Sequence, residues 1–238
     1  MLEDVCDLLE NTTSSSLSPR LVNFLDWVKT QNANGASFTV TLGIPTKELF
    51  EKGYTASLYQ EKVANFAKLI GKDHAGLVSA IEIGNEYSIG QTKINETTYG
   101  FRANMAAKSL AEGFQAAGLS GDNQPDILIQ TAEIFGRGSD YKGGTHDGAN
   151  TAIINQLSSG AIDAIDGVVN HYYYIKDHKG HDDLAAPSDT NAVALETRHL
   201  YKKIDSWQKA WESVLDKELG LHFTEWNVQK NLADQLGL

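Results

Sequence analysis

The feature that most constrains the fold of this chain is a regular alternation of short apolar stretches with longer amphipathic ones. Five stretches have the composition of buried strands, at 38–43, 78–83, 126–131, 166–172 and 221–224. Helical periodicity separates them: one amphipathic stretch opens at Ser18-Pro19, and others cover 58–70, 98–117, 148–158 and 190–216. The second of these stops at Gly71 and the third at Gly118. Such alternation predicts an α/β fold with a parallel sheet.

Parallel α/β sheets occur as open doubly wound sheets or as (β/α)8 barrels of the TIM type. A doubly wound sheet usually has a phosphate-binding glycine turn after its first strand. The nearest match here, Gly136-Arg137-Gly138, follows the third strand and has Tyr141 where a third glycine would stand. The sequence also lacks the G-x-S-x-G, Walker and H-E-x-x-H motifs. We therefore expect the barrel type, in which residues at the carboxyl ends of the strands carry the chemistry.

Charge and cysteine content exclude several classes of protein. The 238 residues carry a formal net charge of −11, whereas a protein that binds nucleic acid needs a basic face, so no nucleic-acid partner is expected. Cys6 is the only cysteine, which excludes an intrachain disulfide and a multi-cysteine zinc site. No apolar run approaches the roughly 20 residues of a membrane span, so no membrane partner is expected.

Polar residues stand together where three of the predicted strands end. The second strand ends in Asn85-Glu86, the fourth in 170–174 (NHYYY), and the fifth in 224–227 (TEWN). Side chains alternate along a strand, so Glu82 and Glu86 would point to one side, into the mouth of a barrel. The same reasoning is weaker for the glutamate of the fifth strand, because its neighbours do not alternate cleanly.

Two carboxyl groups at the mouth of one barrel indicate glycoside hydrolysis, in which one protonates the leaving oxygen and the other attacks or positions water. Asn85 would bind a sugar hydroxyl, and His171 or a nearby tyrosine would orient the second carboxylate. Trp226 would either stack on a sugar ring or be a buried structural residue. Glu133, at the end of the third strand, is a further candidate for sugar binding. No cofactor is expected.

The sequences IGNEYSIG and HFTEWNVQ resemble motifs of the clan of retaining (β/α)8 glycoside hydrolases whose catalytic glutamates lie on strands 4 and 7. The resemblance is to its β-xylosidase-like and α-L-arabinofuranosidase-like branches. It implies that Glu86 is the acid/base, Asn85 the hydroxyl-binding asparagine and Glu225 the nucleophile. It also places His171 and Tyr173 beside the nucleophile.

In this numbering the five strands are strands 3 to 7, and strands 1, 2 and 8 would be missing. Strand starts recur at intervals of roughly 40 to 54 residues, so eight units would need more than about 300 residues. We therefore expect one incomplete barrel domain over residues 1–238. Its exposed sheet edges would favour oligomerisation. The resemblance is compatible with a secreted or periplasmic protein, although MLEDVCDLLE lacks the basic start of a signal peptide.

Two alternative functions stay open on the sequence alone. The missing strands favour a carbohydrate-binding or inactive fragment. The loop at 176–183 (KDHKGHDD), together with His171, has ligand types for a metal-dependent hydrolase, although such loops are usually solvated. The pair Trp207 and Trp211, four residues apart on a predicted helix, is interpreted as core packing.

Overall fold

The computed structural model describes residues 5–88, 93–132, 146–174, 208–209 and 211–228. In this part of the chain the helices are α1 (Val5–Glu10), α2 (Pro19–Ala33), α3 (Glu48–Glu51), α4 (Ala56–Asp73), α5 (Glu96–Ala116), α6 (His146–Ile154) and α7 (Ser159–Ala164), with a 3₁₀ turn at Gly121–Asn123. The strands are β1 (Val40–Ile44), β2 (Val78–Ile83), β3 (Asp126–Gln130), β4 (Gly167–Tyr174) and β5 (Gly220–Val228).

These strands form one sheet in the order in which they occur along the chain. The pairings of β1 with β2, β2 with β3 and β3 with β4 are all parallel. A helix stands between each of these neighbours, as a parallel connection requires. The predicted class is confirmed: the fold is α/β, with the strand and helix order of an incomplete (β/α)8 barrel.

The two faces of the sheet differ in chemistry. One face, called here the Ala80 face, carries Ala80 and Glu82 of β2, Leu128 and Gln130 of β3, and Val169 of β4. Its three apolar members form a buried cluster, and the two polar ones are also buried. The opposite face is mainly apolar, and its buried apolar residues are Leu42, Ile44, Ile81, Ile83, Ile127, Ile129 and Val168.

Helices α4 and α5 pack against each other over small residues. A Cβ atom added at Gly113 of α5 would stand 2.3 Å from the backbone oxygen of Ala64 in α4, so only glycine permits this approach. Gly71 is likewise surrounded, with Ala117 Cβ 2.9 Å from where its own Cβ would stand. The prediction that α4 stops at Gly71 is therefore wrong. The helix continues to Asp73, and Gly71 serves packing rather than termination.

Other helix boundaries confirm or correct the predictions made from the sequence. Ser18 caps α2, its hydroxyl accepting from Leu21 N at 3.3 Å, and the chain leaves α5 through Gly118 at φ +83°, as expected from a glycine stop signal. The helix predicted at 148–158 ends earlier, at Ile154, and a second helix, α7, follows it. The second begins after Ser158, whose N–H and hydroxyl both bond to Asn104 Oδ1 at 2.8 Å.

The chain divides into two compact units, Met1–Val169 and Asn170–Leu238; the single-domain expectation stays a prediction. In the second unit Trp211 is fully buried, which confirms its predicted packing role, whereas Trp207 lies outside the described residues. Glu212 Oε1 accepts from Leu219 N at 2.9 Å and so ties this helical segment to the start of β5. Within the described residues, no helix has the length and apolarity needed to cross a membrane.

Candidate active site

The turn after β2 carries the predicted acid/base residue. β2 ends at Ile83, and Gly84 follows with φ +87° while its N–H still bonds to Ile44 O of β1 at 2.8 Å. Glu86 itself has φ +42°. Strand alternation therefore holds for Glu82 but stops before Glu86. The expectation that strand parity sets the direction of Glu86 is wrong, because a left-handed turn intervenes.

The backbone of this turn is strained at Glu86. A residue with a Cβ pays about 1–2 kcal/mol to adopt the left-handed region. Both Asn85 and Glu86 are half-buried, so the site is neither enclosed nor fully solvated. Such outliers persist only where neighbouring contacts determine the conformation, and they concentrate at functional sites.

Tyr99 of α5 supplies several of those contacts. Its hydroxyl donates to Ile83 O at 2.7 Å and accepts from Gln130 N at 2.8 Å, so it bridges the carboxyl ends of β2 and β3. Burial raises the pKa of Tyr99 well above its ordinary value, because a phenolate would lose its hydration. The hydroxyl therefore keeps the proton that it donates to Ile83 O.

Gly84 leaves room for the ring of Tyr99 because it has no Cβ atom. A Cβ at Gly84 would stand 2.9 Å from Tyr99 Cε2 and 3.2 Å from Thr46 Oγ1. The ring of Tyr99 is itself held by Tyr87, which stacks on it with centroids 4.2 Å apart and an interplanar angle of 10°. The residues on both sides of Asn85-Glu86 thus pack on the same ring.

A polar chain on the Ala80 face reaches the same turn. Gln130 Nε2 donates to Glu82 Oε1 at 2.9 Å, and Gln130 Oε1 accepts from Tyr87 N at 3.3 Å. The amide of the residue after Glu86 is therefore connected through Gln130 to a buried carboxyl group in β2. We call Glu82, Gln130 and the Tyr87 amide the Glu82 relay.

The neighbouring loop after β1 is fixed by one half-buried side chain, Arg102, and one buried side chain, Tyr59. Arg102 Nη1 donates to Thr46 O at 2.7 Å, and its guanidinium lies 4.2 Å from the ring centroid of Phe50. Tyr59 donates its hydroxyl proton to Pro45 O at 2.9 Å. Burial raises the pKa of Tyr59 and lowers that of Arg102. Both donors hold the β1 loop beside Gly84.

The carboxyl end of β3 is partly described. Thr131 N bonds to Val169 O at 3.0 Å, and Ala132 N bonds to Asn150 Oδ1 of α6 at 2.8 Å. Glu133, the sugar-binding candidate, comes next in the chain and lies outside the described residues. Its role stays a prediction.

The second unit holds the remaining candidates. His171 lies in β4 and is half-buried. Tyr173 also belongs to β4, and Glu225 and Trp226 belong to β5, which runs to Val228. The strand thus extends beyond the predicted 221–224. The side chains of Tyr173, Glu225 and Trp226 lie outside what the structure describes, so their predicted roles stay predictions.

No group of three or more histidine, cysteine, aspartate or glutamate side chains within the described residues could hold a metal ion. The loop at 176–183, which carries the metal-dependent alternative, lies outside them.

Sequence reasoning did not predict Tyr99, Gln130 or Tyr87 as parts of the site. The available signal was Glu82, a carboxyl group among the apolar residues Ile81 and Ile83 of β2, which requires a hydrogen-bond partner once it is buried.

Neither a family model nor the sequence of a curated protein matches this chain. Its fold is similar to that of a solved family 51 α-L-arabinofuranosidase from Bifidobacterium longum, with a TM-score of 0.52 and 18% sequence identity. The match covers 90% of this chain and 40% of that one. The chain therefore spans well under half of that glycoside hydrolase, and at this identity the likeness shows the fold alone.

Proposed function

We propose that this chain carries the catalytic centre of a retaining glycoside hydrolase, with Glu86 as acid/base and Glu225 as nucleophile. The observation that carries the proposal is the Asn85-Glu86 pair, held in a strained turn at the carboxyl end of β2. In parallel α/β folds that end of the sheet is where catalytic groups stand. The fold likeness to an arabinofuranosidase supports the same chemistry.

The mechanism is a double displacement. Glu225 attacks the anomeric carbon while Glu86 gives its proton to the glycosidic oxygen, which leaves with the departing group. Glu86 then takes a proton from water, and that water displaces Glu225 from the glycosyl-enzyme ester. Two inversions restore the original anomeric configuration. This chemistry requires carboxyl groups about 5–5.5 Å apart.

The other candidates would bind the sugar or tune the nucleophile. Asn85 donates to a hydroxyl of the sugar at the cleavage site, and Trp226 stacks on a ring face. His171 and Tyr173 hold Glu225 ionised through hydrogen bonds. Glu133 accepts from a further sugar hydroxyl.

The substrate class is a carbohydrate glycoside. Because the structurally similar enzyme is named an α-L-arabinofuranosidase, aryl α-L-arabinofuranosides are the first substrates to test, followed by aryl β-xylosides and plant polysaccharides. A binding role without turnover is the second candidate.

The test compares the full chain with E86A, E86Q and E225Q, and uses E112Q on the exposed surface of α5 as control. We expect E225Q to lose about 10³-fold or more in kcat and E112Q to match the wild type. E86A should regain turnover of aryl glycosides with good leaving groups when azide is added, because azide attacks the glycosyl-enzyme without base assistance. A chelator should leave activity unchanged.

Three results would reject the proposal. Equal activity in the wild type, E86Q and E225Q rules out the glutamate pair. Oligosaccharide binding without turnover, unaffected by E225Q, supports the binding role instead. Loss of activity on chelation would favour the metal-dependent hydrolase.

A further inference from the structure

The polar pair Glu82 and Gln130 lies among apolar neighbours on the Ala80 face. The two residues are only 6% and 5% exposed, and they bond to each other at 2.9 Å. A buried hydrogen bond adds little net stability, because the loss of hydration offsets most of its strength. The arrangement therefore needs a reason other than the stability of the fold.

The geometry of the Gln130 side chain supplies that reason. Its Nε2 faces Glu82, which leaves Oε1 to accept from Tyr87 N at 3.3 Å. Glu82 thus prevents the amide of Gln130 from flipping, since a flipped amide would present a donor to the Tyr87 N–H. The carboxyl group in β2 fixes an acceptor for the turn that follows the same strand.

The backbone held by this acceptor is that of the residue next to Glu86. Glu86 stands at φ +42° between Gly84 and Tyr87. Gly84 is fixed by its bond to Ile44 O and by the close approach of Tyr99. Tyr87 is fixed by stacking on Tyr99 and by the Gln130 acceptor. The strained residue is thus anchored on both sides, and the Glu82 relay is one of the anchors.

We propose that Glu82 and Gln130 are positioning residues, which hold the turn so that the carboxyl group of Glu86 is aligned for proton transfer to and from the glycosidic oxygen. This inference rests on the proposed function, because it assigns Glu86 its role. Neither residue touches the substrate. Both act through the backbone of Tyr87.

The variants separate the relay from ordinary packing. Q130L fills the same space and removes both hydrogen bonds, and E82M breaks the relay at its other end. The double variant E82Q/Q130E reverses the two groups and keeps a donor facing an acceptor, with a carboxylate oxygen left for Tyr87 N. V63A, in the buried part of α4, is the control for loss of stability without contact with the relay.

The first readout is hydrogen exchange at the Tyr87 amide in the full chain. We expect Q130L and E82M to speed this exchange at least about tenfold relative to exchange in the core of α4, and E82Q/Q130E to restore the wild-type rate. If the exchange rate is unchanged in both Q130L and E82M, the relay does not hold the Tyr87 amide and the inference is rejected, whether or not the protein hydrolyses a glycoside.

The second readout is the dependence of kcat on the leaving group. A misaligned acid slows glycosides with poor leaving groups most, because those depend on protonation. We expect Q130L to lower kcat on phenyl glycosides about 10- to 100-fold. Dinitrophenyl glycosides should be affected less, and KM should change little. V63A should leave this dependence unchanged, and E82Q/Q130E should recover it.

The two proposals fail in different ways. If E86Q keeps wild-type activity, the acid/base assignment is wrong and the positioning role falls with it. If E86Q is inactive while Q130L and E82M keep the wild-type leaving-group dependence, the assignment stands and the relay is wrong.

Discussion

Substitution of Gly84 by alanine tests whether the turn after β2 is as tightly determined as its contacts indicate. Two costs add at this position. The backbone stands at φ +87°, a conformation that costs an alanine about 1–2 kcal/mol of conformational energy. The new Cβ would also stand 2.9 Å from Tyr99 Cε2, and overpacking of a well-filled site costs about 1–3 kcal/mol.

Tyr99 is unable to yield without further loss, because its hydroxyl bridges two strands and its ring stacks on Tyr87. We therefore expect G84A to lower the free energy of unfolding by about 2–5 kcal/mol. Gly53 provides the matched control. It has φ +88°, and no atom lies within 4 Å of where its Cβ would stand, so G53A should cost only the backbone part, about 1–2 kcal/mol.

The assay is urea unfolding of the full chain, followed by tryptophan fluorescence, with wild type, G84A and G53A measured together. A double-mutant cycle with Y99A sharpens the test: in the Y99A background, G84A should cost less than it does in the wild type and approach the cost of G53A, with Thr46 Oγ1 as the remaining close contact. If G84A and G53A destabilise the wild type equally, the close approach of Gly84 to Tyr99 does not constrain this turn, and the reasoning is refuted.

Two further predictions concern the buried tyrosines. Y99F keeps the ring but leaves Ile83 O and Gln130 N without their bridge, so unfolding measurements should show a loss of about 2–4 kcal/mol; a loss below about 0.5 kcal/mol would mean that the bridge contributes nothing. The pKa values of Tyr59 and Tyr99 are raised in the folded state from the ordinary 10.0. Below pH 10 both the folded and the unfolded chain keep these protons, so the two tyrosines do not change the free energy of unfolding with pH. Above pH 10 the unfolded chain releases these protons while the folded chain retains them, so the free energy of unfolding falls as the pH rises. Urea midpoints between pH 9 and 11 should show this fall, and Y59F should make it shallower; an identical slope would contradict the assignment.

The elements that the sequence predicted well are those defined by local pattern. The boundaries of β2 match the apolar stretch at 78–83, because turn residues bound it on the carboxyl side. Boundaries set by tertiary packing were missed. Gly71 has the sequence signature of a helix end but lies inside α4, since its missing Cβ makes room for Ala117. Such a contact joins two helices and leaves no trace in the pattern of either one.

The candidate site divides in the same way. Asn85 and Glu86 were found because they interrupt an apolar strand, which is a local signal. Gln130 was not found, because its meeting with Glu82 depends on the register between β2 and β3, in which Glu82 stands opposite Leu128. The two bonded residues are 48 positions apart in the chain. Strand-by-strand reading places each residue on a face but does not fix which residues meet.

The polar side chains of the Glu82 relay are not required for folding of the sheet. Leucine side chains at both positions would fill similar space beside Ala80 and Leu128, and replacing a buried polar pair by apolar residues is often neutral or stabilising. Folding alone therefore does not require a carboxyl group and an amide there. A leucine pair would lack an acceptor for Tyr87 N, and the backbone beside Glu86 would lose one of its anchors. The polar pair is explained by the turn that it holds, and that turn carries the residue on which the proposed chemistry depends.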